Sequence, residues 1–394
     1  MSVLVPVRRY LAGMVALAVL PAVVPRPIAA QVPAVRDSAG IRIVENAPLG
    51  IARAAFALGD KPTIDLSGAE NNPDSQFYAQ ATGYHWAALR LRDGRFLVAS
   101  SWRPSTEDAK SRSQLMYFDG AGKLLSIVHL PPPFRSPNAL CQTPGDTLII
   151  GDTNGRLIGV VDNAGSVVTT IPLNGGSRAE SCFGDGTFLA MVGFDLGDHT
   201  VEGPPRLHIV SKRTDGSVVH DFGWIAQRAV LSAGASVPSF AARGSQFFDA
   251  PSGVPEIRRY NAQGALNEIV RMNDTLLRVT TAQLVRGEGA PPIHSTMPLA
   301  EAAPARTWPV YGTAMTDEAG RIWVNQYLRS NDFSPTWTAF GADGVMIGSI
   351  TVPVMVAGES WRVEAFYSDA VQVSIINGKA HTHRIVLYPL VRVP

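Results

Sequence analysis

One half-sentence recurs along this chain: an apolar run, a turn built on D-x-x-G or a close variant, and a second apolar run. It reads LMYFDGAGKLLSIVHL at 115 to 130 and VVDNAGSVVTTIPL at 160 to 173. The turn glycines are Gly122, Gly165, Gly216, Gly264 and Gly344, in steps of 43, 51, 48 and 80 residues. A second marker leads each of them: Asp93-Gly94, Gly145-Asp146, Gly184-Asp185-Gly186, Gly244 and Gly320. Asn, Asp and Gly tolerate the positive φ that tight hairpins need, and the flanks are rich in β-branched and aromatic residues. Two hairpins per unit mean four strands per unit. Four short antiparallel strands recurring every 40 to 50 residues or so mark a propeller blade.

A blade of this kind is apolar on both faces, so it must stack between two others. A sandwich would not repeat a two-turn unit five times, and a β-helix would use shorter coils. The step of 80 contains an insertion at about 273–309, where Pro291, Pro292, Pro298, Pro304 and Pro309 leave no room for a ladder. Thr280 or Thr281 could cap a short helix there, running through Arg286. The last unit has three strands, and GIRIVENA and PTIDLSG near the start have no unit of their own. Propellers close by pairing a strand from one terminus into the blade of the other, which removes a bare edge. The expectation is an all-β, six-bladed propeller with four antiparallel strands per blade, closed by an N-terminal strand; seven blades is the other count.

The first thirty residues stand apart. Arg8 and Arg9 precede an apolar stretch from Leu11 to Val24, and Ile28-Ala29-Ala30 offers a small-residue cleavage site. The stretch is shorter than the roughly 20 residues of a bilayer span, so residues 1–30 read as a signal peptide and 31–394 as one periplasmic or secreted domain with no membrane span. Its removal takes three of the 34 Lys and Arg, leaving 31 against 33 Asp and Glu. That balance, with no basic run longer than two, argues against nucleic-acid binding.

The strand units RLRDGRFLV, FDGAGKLL and DEAGRIWV, with DSAGIRIVEN ahead of them, VTTAQL between them and RIVLYPL at the end, resemble exported bacterial six-bladed propellers of the NHL-like group. The likeness covers most of residues 37 to 390. It implies an exported propeller and brings no catalytic residues with it.

Familiar catalytic signatures are not found: there is no G-x-S-x-G, P-loop, H-E-x-x-H or dinucleotide fingerprint. His381 and His383 share a strand face at a spacing that suits Zn²⁺, Asp195, Asp198 and His199 could offer ligands to a cation, and Asp152 to Gly155 resembles half a calcium loop. Each reads first as a solvated strand or turn, and no metal site is assigned. Cys141 and Cys182 lie ahead of corresponding turns in neighbouring units. A disulfide between them requires Cα atoms within roughly 7 Å, which inner strands reach only near the axis; two buried thiols are the other reading. Trp308, Tyr311, Arg306 and His294 in or beside the insertion could be presented at the channel rim, where loop-borne aromatics with polar neighbours suit a sugar or peptide. The expected function is a non-catalytic, monomeric binding module for a peptide, glycan or protein, with no cofactor. The alternative is a lactonase-like hydrolase or a lyase with a channel metal, drawing on Asn138, Glu180, Glu364 and His85.

Overall fold

The computed structural model describes residues 33–66, 87–102, 112–152, 154–173, 178–195, 206–226, 239–251, 254–275, 310–326, 336–353, 355–356, 359–377 and 382–393. The expected signal peptide and the expected helix near Thr280 lie outside them. The amino-terminal strands are β1 (Ala34–Ser38), β2 (Ile41–Asn46), β3 (Phe56–Leu58) and β4 (Ile64–Asp65). Blade I holds β5 (Ala87–Arg90), β6 (Phe96–Trp102), β7 (Arg112–Phe118) and β8 (Leu124–Leu130). Blade II holds β9 (Pro137–Gln142), β10 (Leu148–Asp152), β11 (Leu157–Val161) and β12 (Val167–Pro172). Blade III holds β13 (Arg178–Cys182), β14 (Phe188–Asp195), β15 (Arg206–Lys212) and β16 (Val218–Ala226). Blade IV holds β17 (Ser239–Arg243), β18 (Gln246–Ala250), β19 (Glu256–Asn261) and β20 (Leu266–Met272). Blade V holds β21 (Tyr311–Thr316), β22 (Ile322–Gln326), β23 (Thr336–Phe340) and β24 (Met346–Thr351). Blade VI holds β25 (Met355–Val356), β26 (Glu359–Phe366), β27 (Ala370–Asn377) and β28 (Thr382–Arg392), completed by β3 and β4.

Period-two alternation sends neighbouring residues of one strand into different inter-blade cores. In β10, Leu148 and Ile150 pack against blade I while Ile149 packs against blade III. In β22, Ile322 and Val324 face blade IV while Trp323 faces blade VI. Six buried clusters result, one per interface, and between them they hide apolar surface that a lone blade would leave in water.

Every outer hairpin uses the same turn. Its first residue donates its N–H to the carbonyl four residues on, and the glycine at the fourth position donates back, as in Asp119 N to Lys123 O at 2.9 Å and Gly122 N to Asp119 O at 3.0 Å. Where the first residue is Asp119, Asp162 or Asn261, its Oδ1 also accepts two backbone N–H groups within the turn. Each turn glycine then abuts the outer strand of the preceding blade: Gly165 meets Val128, Gly216 meets Ile171, and Gly122 of blade I meets Ile64 and Asp65, which complete blade VI. That last contact closes the ring. Gly264 is the most constrained of the set, with φ at 78° and the space for a Cβ already filled by the His220 imidazole. Gly264→Ala should therefore cost about 2 kcal/mol, of which the left-handed φ supplies roughly half. In a His220→Ala background the cost should fall to about 1 kcal/mol, as a urea double-mutant cycle will read directly.

The amino-terminal segment forms a belt over half the rim. β1 and β2 make a hairpin, and β2 adds to β20 in parallel register, with Arg42 opposite Glu268 and Asn46 opposite Met272. The chain next runs along blade V, where Ser349 N donates to Arg53 O at 2.8 Å and Ala55 N donates to Ser349 O at 3.1 Å. It ends on blade VI, with β3 and β4 antiparallel to β28. Closure thus uses the strand within PTIDLSG together with Phe56–Leu58, while GIRIVENA widens blade IV instead. Salt bridges hold that added strand: Arg42 to Glu268 at 2.6 Å and Arg271 to Glu45 at 3.0 Å.

Candidate functional site

Four-stranded blades make the two faces of the ring different. Tight hairpins between first and second strands, and between third and fourth, lie on one face, here the turn face. Connections between second and third strands, and from blade to blade, lie on the other, the loop face. Every internal segment outside the described residues leaves from and returns to strand ends on the loop face.

The innermost strands β5, β9, β13, β17, β21 and β26 adjoin one another in sequence round the axis. Their convergence brings Cys141 and Cys182 within reach: the two form a disulfide with Cα atoms 5.5 Å apart, joining blades II and III beside the turn face. Three residues proposed for the channel from sequence occupy bulges on these strands. Asn138 is the extra residue between the pairs Ala139–Gly151 and Pro137–Asp152. Glu180 falls between Ala179–Ala190 and Ser181–Leu189, and Glu364 between Val363–Val373 and Ala365–Gln372. Bulges re-aim side chains and recur next to active sites. Glu364 pairs with Arg362 at 2.6 Å; His85 lies outside the described residues.

Polar side chains at the loop-face ends of the second strands support this inner ring. Asp152 is fully buried and accepts backbone N–H groups from Arg135, Ser136 and Gly155 at 2.5, 2.9 and 2.6 Å. Its carboxylate is therefore committed to the turn, and the half calcium loop resolves into a backbone cap. Asn325 does the same for the bulge of blade V, accepting from Gly312 N at 3.0 Å and Thr313 N at 2.5 Å.

Asp249 of blade IV is different. It is 1% exposed, and among the described residues its Oδ1 has no hydrogen-bond partner. Burial pushes its carboxyl up to about 7, against the opposing pull of Arg258. A buried carboxyl poised near neutrality at the loop-face end of β18 is the kind of group that functional sites use, and sequence reasoning passed over it within QFFDAP. The folded carboxyl keeps its proton up to about pH 7, whereas in the unfolded chain it loses it near pH 4. Its contribution to stability is thus intact below pH 4 and is lost as pH rises through 7. Asp249→Asn should leave stability at pH 3.5 unchanged and raise it by about 3 kcal/mol at pH 8, measured by urea denaturation at both values.

Of the expected rim residues, Trp308, Arg306 and His294 lie outside the described residues. Tyr311 is not on the rim. It opens β21 at 1% exposure, its ring filling the core between blades IV and V, with its hydroxyl 2.8 Å from Glu256 O and 3.1 Å from Pro251 O. An inner-strand position whose side chain faces the neighbouring blade accounts for that burial. His383 lies on β28 opposite Ile376 and Asp195 ends β14 opposite Arg206; His381, Asp198 and His199 lie outside the described residues. Among the described residues, no three His, Cys, Asp or Glu side chains are grouped to hold a metal ion, and no helix is long and apolar enough to cross a membrane.

No protein-family profile matches the chain, and no curated protein sequence matches it. Among solved structures it is similar to a candidate exported protein from Bacteroides fragilis NCTC 9343, at 8% identity and a TM-score of 0.51 over 89% of this chain and 100% of that one. A DUF4221 family member from Bacteroides vulgatus gives 11% identity and a TM-score of 0.46 over 87% and 98% of the two chains. Virginiamycin B lyase from Staphylococcus aureus gives 9% and 0.36 over 77% and 94%. At such identities the likeness concerns the fold alone.

Proposed function

We propose that this chain is an exported, monomeric six-bladed propeller of the NHL-like kind that binds a peptide, glycan or protein partner on its loop face. The observation that carries this reading is the segregation of connections. One face is built of short turns whose polar groups are spent on their own backbone, while every long connection departs from the other. The segment 276–309, with Trp308, Arg306 and His294, leaves and rejoins the ring on that second face. Export is supported by the basic and apolar amino-terminal pattern of residues 1–30 and by the fold likeness to a candidate exported protein.

The test is a glycan and peptide array probed with residues 31–394. Ligands captured by the wild type should be lost on combined replacement of Trp308, Arg306 and His294 by alanine, and kept when Lys123 on the turn face is replaced. Ligands kept by the triple variant would contradict the reading.

The inner-strand bulges at Asn138, Glu180 and Glu364 favour a second reading, a propeller hydrolase or lyase with a metal in the central channel. Metal analysis of the protein purified without chelators separates the two. A stoichiometric divalent ion lost in Glu364→Gln would favour catalysis.

A further inference from the structure

A cleft opens between blades IV and V on the turn face, opposite the loop face, and its origin is a shortened hairpin. Five residues separate the last paired positions of the inner hairpins in blades I, II, III and V, namely Arg90–Phe96, Gln142–Leu148, Cys182–Phe188 and Thr316–Ile322. In blade IV only Gly244 and Ser245 separate Arg243 from Gln246. The fifth residue of the longer turn can fill the space toward the next blade. Arg95 spans it in blade I, lying over the Tyr117 ring and reaching Asn163 Oδ1 at 3.2 Å. Arg321 spans it in blade V, reaching Ser368 O at 3.0 Å. Blade IV has no such residue, and the gap is a cleft of about 370 Å³ floored by Phe248 and Ile322 and walled by Ser245, Gln246, Glu318, Gly320 and Arg259, with Glu318 Oε2 accepting from the Ser368 hydroxyl at 3.3 Å. That volume is within the range of small-molecule sites.

Arg259 gives the cleft its chemistry. Its side chain is 5% exposed and stands two residues before the outer turn, the place Tyr117 holds in blade I. Nη1 donates to Ala342 O at 2.5 Å and lies 2.9 Å from Glu268 Oε1 in an ion pair, and Nη2 donates to Gly341 O at 3.1 Å. Glu268 is shared with Arg42, and the Asp343 carboxylate is turned to its own backbone at Val345 N. Among the described residues, Nε–H and one Nη2–H of Arg259 meet no acceptor, and a carboxylate takes such a pair side-on. We propose that this cleft binds a small carboxylate with an apolar body, the carboxylate on Arg259 and the body over Phe248 and Ile322.

The probes are benzoate, phenylacetate and hexanoate, with benzyl alcohol as the uncharged control, titrated into residues 31–394 by calorimetry or saturation-transfer NMR. At least one carboxylate should bind saturably and about tenfold more tightly than benzyl alcohol, the worth of one charge-assisted bond. Ser245→Trp, which fills the mouth, and Gln246→Glu, which sets a like charge beside the ligand, should each weaken it by about tenfold or more. Both positions are exposed, and melting curves will show that the variants fold. Trp308→Ala should leave carboxylate binding unchanged, so this site and the loop face fail independently. Absence of saturable binding by all three carboxylates, or binding unaltered in both cleft variants, would overturn the proposal and leave Arg259 as a staple between blades.

Discussion

A chain from which residues 33–66 have been removed is expected to lose the cooperative unfolding transition of the full propeller. The belt contributes Ile43, Val44, Leu49, Phe56 and Leu66 to buried positions, all 6% exposed or less. At roughly 2 kcal/mol for each such side chain, its apolar burial is worth about 10 kcal/mol, comparable with the whole net stability of an ordinary domain. It also leaves the outer edge of β28 unpaired, a bare strand that invites association between chains. Removing Ala34–Ser38 alone should cost little, because all five residues are exposed. Far-UV circular dichroism during heating reads both variants. A sharp transition at an unchanged midpoint in the longer deletion would show that the belt is an ornament.

Trp323→Ala should cost about 5 kcal/mol, the upper end for loss of a large buried aromatic. The indole is fully buried between blades V and VI, stacked on Phe366 at 4.2 Å between centroids and 3° between planes, with the edge of Phe56 at 5.1 Å. Its Nε1 donates to Asp317 Oδ2 at 2.8 Å, and that carboxylate is itself fully buried and paired with Arg321. Truncation thus opens a cavity and weakens the support of a buried charge at once. Trp323→Phe keeps most of the stacking and loses the hydrogen bond, so about 2 kcal/mol is expected. Urea midpoints distinguish the two. Equal losses in both variants would place the energy in the hydrogen bond instead of the stack.

The architecture was legible because its determinants are local. A D-x-x-G turn declares its own geometry, and all five outer-turn glycines adopt positive φ, from 76° at Gly344 to 95° at Gly165. Spacing between such turns then dictates four strands per unit. What escaped depends on partners distant in the chain. Ile41–Asn46 is a good strand anywhere, and nothing within it says that it will lie parallel to β20 and not against β28; the choice rests on Arg42 meeting Glu268, 226 residues away. Tyr311 looked like a rim residue because it follows a proline-rich segment, yet its ring lies in the core between two blades. Asp249 is a single charge in an apolar run, and only comparison with its counterparts Asp152 and Asn325 shows that, among the described residues, its Oδ1 lacks the backbone donors they have. The two-residue turn Gly244-Ser245 was visible as a marker, but its shortness matters only once the neighbouring blade shows what a longer turn would have filled.

The amino-terminal strands close a ring whose first and last blades, among the described residues, are otherwise joined through side chains, those of Arg90, Tyr367 and Asp369 among them. Native-state hydrogen exchange tests this closure most directly. The Thr63 and Leu66 amides donate to Leu387 O and Ile385 O, each at 2.8 Å. They should exchange only on global unfolding, at the same free energy as the amides of β27 in the centre of blade VI. Rapid exchange at Thr63 and Leu66 while β27 stays protected would show a ring that holds without its clasp.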